Sequence, residues 1–187
     1  MDQSINEFGS RYGCRVIQKA LQVMDPARLV PLVHEFEGVV FDAIHDQNGN
    51  HCIQKCIEVM SSAQRLDPDS NEPMSVHIQF IVDAFQGAAR QLSVHPYGCR
   101  VVQRLLEHCG GQQKHGVLNE LVADVDELVC DQYGNYIVQP MIVHGREEDR
   151  AAVVRRVQRE LFNYAGHKYA SNVVEKCLQV KKQTSEI

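Results

Sequence analysis

The chain has 187 residues, 44% of them hydrophobic and 23% charged, with a formal net charge of −5 at pH 7. That composition supports a buried core and excludes wholesale disorder, while the acidic balance argues against a protein that clamps nucleic acid by bulk positive charge. No apolar run approaches the ~20 residues needed to cross a bilayer, so no membrane partner is expected, and MDQSINEFGSRYG lacks the basic start and hydrophobic stretch of a secretion signal.

In chain order, the first predicted element is a helix near 13–24. At 3.6 residues per turn, Val16, Ile17, Ala20, Leu21 and Met24 share one side, and Cys14, Arg15, Gln18, Lys19 and Gln22 the other. Asp25 and Pro26 then supply an N-cap and a first-turn proline for a second helix carrying Leu29, Leu32, Val33 and Phe36 at helical spacing. The tetrad Asp46-Gln47-Asn48-Gly49 has the Asn-Gly signal of a hairpin turn. The residues after it repeat every 3.6 positions and do not alternate, so a helix near 49–60 is predicted. The polar stretch 61–73, with two prolines, reads as an inserted surface loop. Further helices are predicted near 98–109, 134–144 and 170–180, with Pro140 expected to kink or shift the fourth of the five.

These helices are copies. YGCRVIQKALQ, NGNHCIQKCIE, YGCRVVQRLLE, YGNYIVQPMIV and YASNVVEKCLQ align with Gly13, Gly49, Gly98, Gly134 and Ala170 in register, at steps of 36, 49, 36 and 36. The loop at 61–73 absorbs the longer step. Each copy has apolar residues at its third, fourth and eighth helical positions and polar ones at the first, second and fifth. Five such helices bury one face against their neighbours and present a ladder of polar triplets on the other, which is an all-α solenoid of units of about 36 residues.

With five phased copies, the chain resembles the Pumilio/PUF family over nearly its whole length, in particular the third to seventh repeats of that family's RNA-binding domain. The resemblance implies a curved, right-handed α-solenoid of three-helix repeats with single-stranded RNA on its concave face, one base per repeat. Carried over position by position, it implies that base edges are read by Cys14 with Gln18, Asn50 with Gln54, Cys99 with Gln103, Asn135 with Gln139, and Ser171 with Glu175. Arg15, His51, Arg100, Tyr136 and Asn172 would stack between bases, although His51 and Asn172 are weaker stackers than Arg or Tyr. Residues four apart share a helix face, so both reach one base. Gln offers a donor and an acceptor, as adenine and uracil edges require, whereas Glu only accepts and so suits the paired N–H donors of guanine.

By the family's code the pairs imply A, U, A, U and G, and antiparallel binding gives the core 5′-GUAUA-3′ with G at Ser171/Glu175. Lys19, Lys55, Arg104 and Lys176 follow the fifth positions and are expected to form a locally positive strip for phosphate, with Pro140 the exception. The resemblance further implies binding to 3′ untranslated regions of mRNA, lowered translation or message lifetime, and deadenylation and repressor factors as protein partners. The family domain has eight repeats plus capping segments. The expectation for five is a piece of a longer array, with apolar ends open to self-association.

Other readings fare less well. Seven scattered cysteines include no C-x-x-C pair, so the zinc reading lacks its spacing even with nine histidines present. They read as small core hydrophobes of a reducing compartment, with the cytoplasm as location and no metal or cofactor expected. No phosphate-binding G-x-x-x-x-G-K-[ST] loop, H-E-x-x-H or G-x-S-x-G occurs, and nothing in the spacing joins His108, Cys109 and Cys130 into a nucleophilic site, so no enzyme is expected. The rival from another class is an armadillo- or HEAT-like scaffold holding a protein segment, which needs no two-residue code in each unit.

Overall fold

The computed structural model describes residues 9–62, 66–68 and 70–185. Thirteen α-helices and one 3-10 helix, at Met74–Ile78, make up the described chain, and its only strand-like pairing is one antiparallel bridge between Leu66 and Pro73. In order the helices are α1 (Gly13–Val23), α2 (Pro26–His34), α3 (Val40–His45), α4 (Gly49–Met60), α5 (Gln79–Asp83), α6 (Ala89–Ser93) and α7 (Gly98–His108). They continue with α8 (His115–Ala123), α9 (Val125–Cys130), α10 (Gly134–His144), α11 (Glu147–Arg159), α12 (Leu161–Ala165) and α13 (Ala170–Ser185).

The period of 36 becomes a unit of three helices: an outer helix, a short second helix, and the longer helix that begins at the Gly or Ala in register. Helices α2–α4, α8–α10 and α11–α13 each form one such unit. In the second full unit the 3-10 turn and α5 together stand in for the outer helix. The long helices stack in one row, α1 on α4, α4 on α7, α7 on α10 and α10 on α13. Outer helices pack along a second row, α2 on the 3-10 turn and α8 on α11. The solenoid therefore grows by adding one three-helix layer at a time.

A continuous core runs through the layers, in which Leu29, Phe36, Ile44, Ile53, Ile57, Ile81, Phe85, Val102, Leu105, Leu118, Val138 and Met141 are all fully buried. Pro26 opens α2 as expected, with Asp25 at the N-cap position but making no side-chain cap bond. Between first and second helices the chain turns sharply at Gly38 (φ 76°) and Gly87 (φ 78°), left-handed conformations that cost a residue with a Cβ ~1–2 kcal/mol.

Pro140 lies inside α10 and is buried, and the helix runs from Gly134 to His144. One expectation needs correction: the apolar side read for α1 is only half right. Leu21 is fully buried, but Val16 is 69% exposed. The equivalent Cys52, Val101, Ile137 and Val173 are all fully buried, in helices that each pack on the long helix of the layer before. Among the described residues no such helix precedes α1.

The stretch after α4 is partly built into the fold. Leu66 pairs with Pro73, Asp67 N–H donates to Glu72 O (2.8 Å), and Asn71 takes the left-handed turn at φ 59°. Asp67 is buried and its Oδ2 lies 2.6 Å from His77 Nε2, which fastens the loop to the 3-10 turn.

Candidate functional site

The site is the face that the five long helices share, and it is built from their N-termini. Three residues before each Gly or Ala in register stands a polar side chain that accepts from the first free N–H groups of the helix. Asp46 Oδ1 takes Asn48 N–H (2.8 Å) and Gly49 N–H (2.7 Å), and Asp131 Oδ1 takes Tyr133 N–H (2.8 Å) and Gly134 N–H (2.7 Å). His95 Nδ1 takes Tyr97 N–H (3.2 Å) and Gly98 N–H (3.0 Å), and His167 Nδ1 takes Tyr169 and Ala170 N–H, both at 3.2 Å. Ser10 Oγ takes Gly13 N–H at 3.3 Å. Orphan N–H groups are thus satisfied in all five copies. Sequence reasoning missed these caps, although a polar residue recurring three before each glycine was there to be seen.

The glycines themselves mark close approach of backbones. A Cβ at Gly98 would lie 2.6 Å from Leu92 O, and at Gly134 2.7 Å from Leu128 O. In the fifth copy Ala170 carries that Cβ and is fully buried.

The first helical position proves to be buried, not displayed. Cys14, Asn50, Cys99 and Asn135 are 4%, 1%, 6% and 0% exposed, and only Ser171 is half-buried. Their polar atoms bond locally. Cys14 and Cys99 thiols donate to Arg11 O and Pro96 O, each at 3.5 Å. Asn50 Nδ2 donates to Asp46 O (2.8 Å), and Asn135 Nδ2 to Asp131 O and Gln132 O (both 3.0 Å). The helix wheel alone put these residues on the polar side; the turn before each helix folds over them.

The fifth position, one turn on, is half-buried at Gln18, Gln54, Gln103 and Gln139, and exposed at Glu175. Gln54 Nε2 donates to Asn50 Oδ1 (2.8 Å), which brings that pair together, whereas Gln139 Nε2 donates to the backbone O of Asn135 (3.3 Å). Glu175 Oε1 accepts from Gln179 Nε2 (3.1 Å). The second position is exposed in every copy: Arg15, His51, Arg100, Tyr136 and Asn172. Asn172 Nδ2 also reaches back one layer to Asn135 Oδ1 (3.2 Å).

These residues enclose clefts between successive long helices. A cleft of about 570 Å³ between α1 and α4 is walled by Arg15 and His51, with Cys14 and Gln18 at its base. One of about 420 Å³ between α7 and α10 lies between Arg100 and Tyr136 over Cys99 and Gln103. A third, of about 260 Å³ between α10 and α13, has Tyr136 and Asn172 as walls and Gln139, Glu175 and Lys176 below. Each cleft therefore combines two exposed second-position side chains with hydrogen-bonding groups on its floor, which suits one flat, polar-edged ring.

The expected basic strip is only partly free. Lys55 pairs with Glu58, and Arg104 bridges Glu58 (3.2 Å) and Glu107 (2.7 Å). Lys19 and Lys176 meet no carboxylate among the described residues. The local charge of α4 and α7 is therefore close to balanced, in keeping with the acidic chain.

The cysteines do not add chemistry to this face. Burial pushes the Cys52 thiol up to about 12 and that of Cys56 higher still, so both stay protonated. Among the described residues no group of three or more His, Cys, Asp or Glu side chains is arranged to hold a metal, and no helix is long and apolar enough to cross a membrane.

A stack of three-helix layers, with a graded ladder of buried, half-buried and exposed polar groups repeated along one face, defines a modular α-solenoid reader. Comparison with known proteins gives the same class. The profile of the Pumilio-family RNA binding repeat matches residues 4–36, 44–66, 89–122, 124–157 and 161–180, one segment per long helix. Pumilio homology domain family member 4 of Saccharomyces cerevisiae is 36% identical over 138 residues, 72% of this chain and 14% of that protein. Suppressor protein MPT5 of the same yeast is 33% identical over 91% of this chain and 20% of its own length.

Among solved structures, PUF-8 in complex with PBE-RNA superposes with a TM-score of 0.84 at 40% identity, covering 95% of this chain and 49% of that one. The Puf3 RNA binding domain bound to a Cox17 RNA 3′ UTR recognition sequence gives 0.79 at 37% identity, covering 93% and 47%. The chain belongs to the Pumilio (PUF) family. It spans about half the length of those solved domains and a fifth or less of the two curated relatives.

Proposed function

We propose that this protein binds single-stranded RNA in a sequence-specific manner and reads the core 5′-GUAUA-3′, within a UGUA-type element, with its five edge pairs. The observation that carries the reading is the repeated cleft, in which two consecutive second-position side chains flank donors and acceptors on the floor. Bases inserted there stack on Arg15, His51, Arg100, Tyr136 or Asn172 and meet Gln18, Gln54, Gln103, Gln139 or Glu175 at their edges. The buried first-position residues act by shaping the floor: Cys14 and Cys99 leave room for a purine, and Asn50 and Asn135 fill that space beside a smaller uracil. Glu175, exposed and able only to accept, marks the guanine.

On this reading the protein acts in the cytoplasm on 3′ untranslated regions of mRNA, regulates translation and message stability with deadenylation and repressor factors, and catalyses no reaction. Relatives solved with RNA support it, Puf3 with a Cox17 3′ UTR sequence among them. Self-association through the exposed apolar side chains Val16 and Leu178, 69% and 63% exposed, belongs to the same proposal. The test is Glu175→Gln in competition binding. The variant is expected to lose preference for G at the 5′ end of the core, and undiminished preference for G over A and U would overturn the assignment.

A further inference from the structure

The two units that carry a Cys/Gln pair differ one turn beyond the glutamine. In the first unit Gln18 is followed four residues later by Gln22, which is exposed, and Gln18 makes no hydrogen bond among the described residues. In the third unit the same place holds Glu107, and Gln103 Nε2 donates to Glu107 Oε1 (3.2 Å). The other oxygen of Glu107 takes Arg104 Nη1 at 2.7 Å, and Arg104 Nε reaches across to Glu58 Oε1 of α4 at 3.2 Å. Gln103 is thus the end of a chain of charged groups anchored in two helices.

A side-chain amide has two ends of nearly equal shape and opposite polarity. When it flips, the donor and acceptor it shows to a base exchange places. A carboxylate can only accept, so Glu107 holds the NH2 end of Gln103 on its own side and disfavours the flipped form, which would set oxygen against oxygen. The carbonyl oxygen and the second N–H of Gln103 are then left in one fixed order toward the cleft between Arg100 and Tyr136. Adenine presents a donor beside an acceptor on its Watson–Crick edge and needs that order constant; uracil and guanine present an N–H donor where adenine has its ring acceptor.

We infer that Glu107 is a specificity-determining positioning residue, fixing the amide of Gln103 so that the third unit discriminates adenine more strictly than the first. The inference rests on base reading by the edge pairs proposed above. The second unit also has a carboxylate at the equivalent place, Glu58, but it pairs with Lys55 and Arg104 while Gln54 Nε2 donates to Asn50 Oδ1; in the last two units Val143 accepts nothing, and Gln179 donates to Glu175 in place of accepting. Among the described residues, a carboxylate that takes the reading glutamine's own amide therefore belongs to the third unit.

The test is fluorescence anisotropy of the 187-residue chain with 5′-UGUAUAUA-3′ and with single A-to-U changes at the fourth or sixth nucleotide, which face Gln103 and Gln18 respectively. The unaltered protein is expected to lose more affinity from the change at the fourth. Glu107→Ala is expected to lower discrimination there by about fivefold, the size of one net hydrogen bond, and to leave the sixth unchanged. Glu107→Gln, which still offers an acceptor, is expected to retain most of it. Glu58→Ala breaks the inter-helix ion pair but keeps Glu107 on Gln103, so it preserves discrimination, whereas mere loosening of the stack would make Glu58→Ala and Glu107→Ala behave alike. Full discrimination at the fourth nucleotide in Glu107→Ala, or equal losses at the fourth and sixth, overturns the inference while leaving base reading intact. An unaltered protein that discriminates at neither nucleotide overturns base reading and the inference with it.

Discussion

Helices α4 and α10 begin beneath an aspartate and α7 and α13 beneath a histidine, and the difference reaches the face each helix presents. Under the aspartates the first helical residue is Asn50 or Asn135, whose amide donates back to the carbonyl of the capping residue itself. Under the histidines it is Cys99 or Ser171, small and without that bond to its cap. The cap and the first floor residue thus behave as one local unit, so what opens the helix also decides how much of the cleft floor is filled. An ionised carboxylate accepts throughout the neutral range, but an imidazole accepts at Nδ1 only while neutral.

The largest expected effect separates the two histidine-capped helices. Gly98→Ala forces a Cβ against Leu92 O, and overpacking of this kind costs about 1–3 kcal/mol. Urea denaturation of the variant checks this; a midpoint equal to that of the unaltered chain would show that α7 has the slack by which α13 accepts Ala170. Next comes loss of an aspartate cap. Asp131→Ala removes the acceptor for two N–H groups and is expected to lower stability by about 1 kcal/mol in the same assay.

A third prediction turns on pH. Burial, aided by the neighbouring His45 ring 4.6 Å away, holds His95 below its ordinary value of 6.5. His144 is lowered as well, chiefly by burial. A base with a lowered folded-state value favours the fold when neutral. Its contribution is therefore complete above about pH 6.5 and is lost as pH falls through the folded value. Melting temperature should decline on acidification from pH 7.5 to 5.5, and His95→Asp should lessen the decline by moving α7 into the aspartate class. A decline unchanged in that variant would place the sensitivity elsewhere. The smallest effect is expected at Asn172→Ala, which frees Asn135 Oδ1 from its cross-layer partner for about 0.5–1 kcal/mol. A double-mutant cycle of Asn172→Ala with Asn135→Ala reads that coupling directly, and simple additivity would deny it.

Much of the fold was legible because it repeats. The recurrence from Gly13 to Ala170 and the 3.6-residue apolar pattern lead to an all-α solenoid, and the helical choice at Asp46–Gly49 holds because Cys52, Ile53, Cys56, Ile57 and Met60 continue that pattern. What a wheel could not carry was context beyond one helix. Val16 looks like core and is exposed because burial at that position comes from the layer before. Asn50 and Asn135 look like surface and are buried because the capping turn covers them. At the site, the exposed second-position row follows from the sequence pattern. The pairing of Lys55 and Arg104 with Glu58 and Glu107 depends on rotamers and on the distance between two helices, which no single-helix pattern contains.

The central claim is that the ladder of polar triplets reads RNA base by base. Equilibrium anisotropy of the intact chain with 5′-UGUAUAUA-3′ against the same RNA with its G replaced tests this most directly. Measurable binding at low micromolar protein is expected, with a clear loss of affinity without the guanine, because Glu175 then faces an edge lacking paired N–H donors. Equal affinity for the two RNAs, or no binding to either, would contradict it.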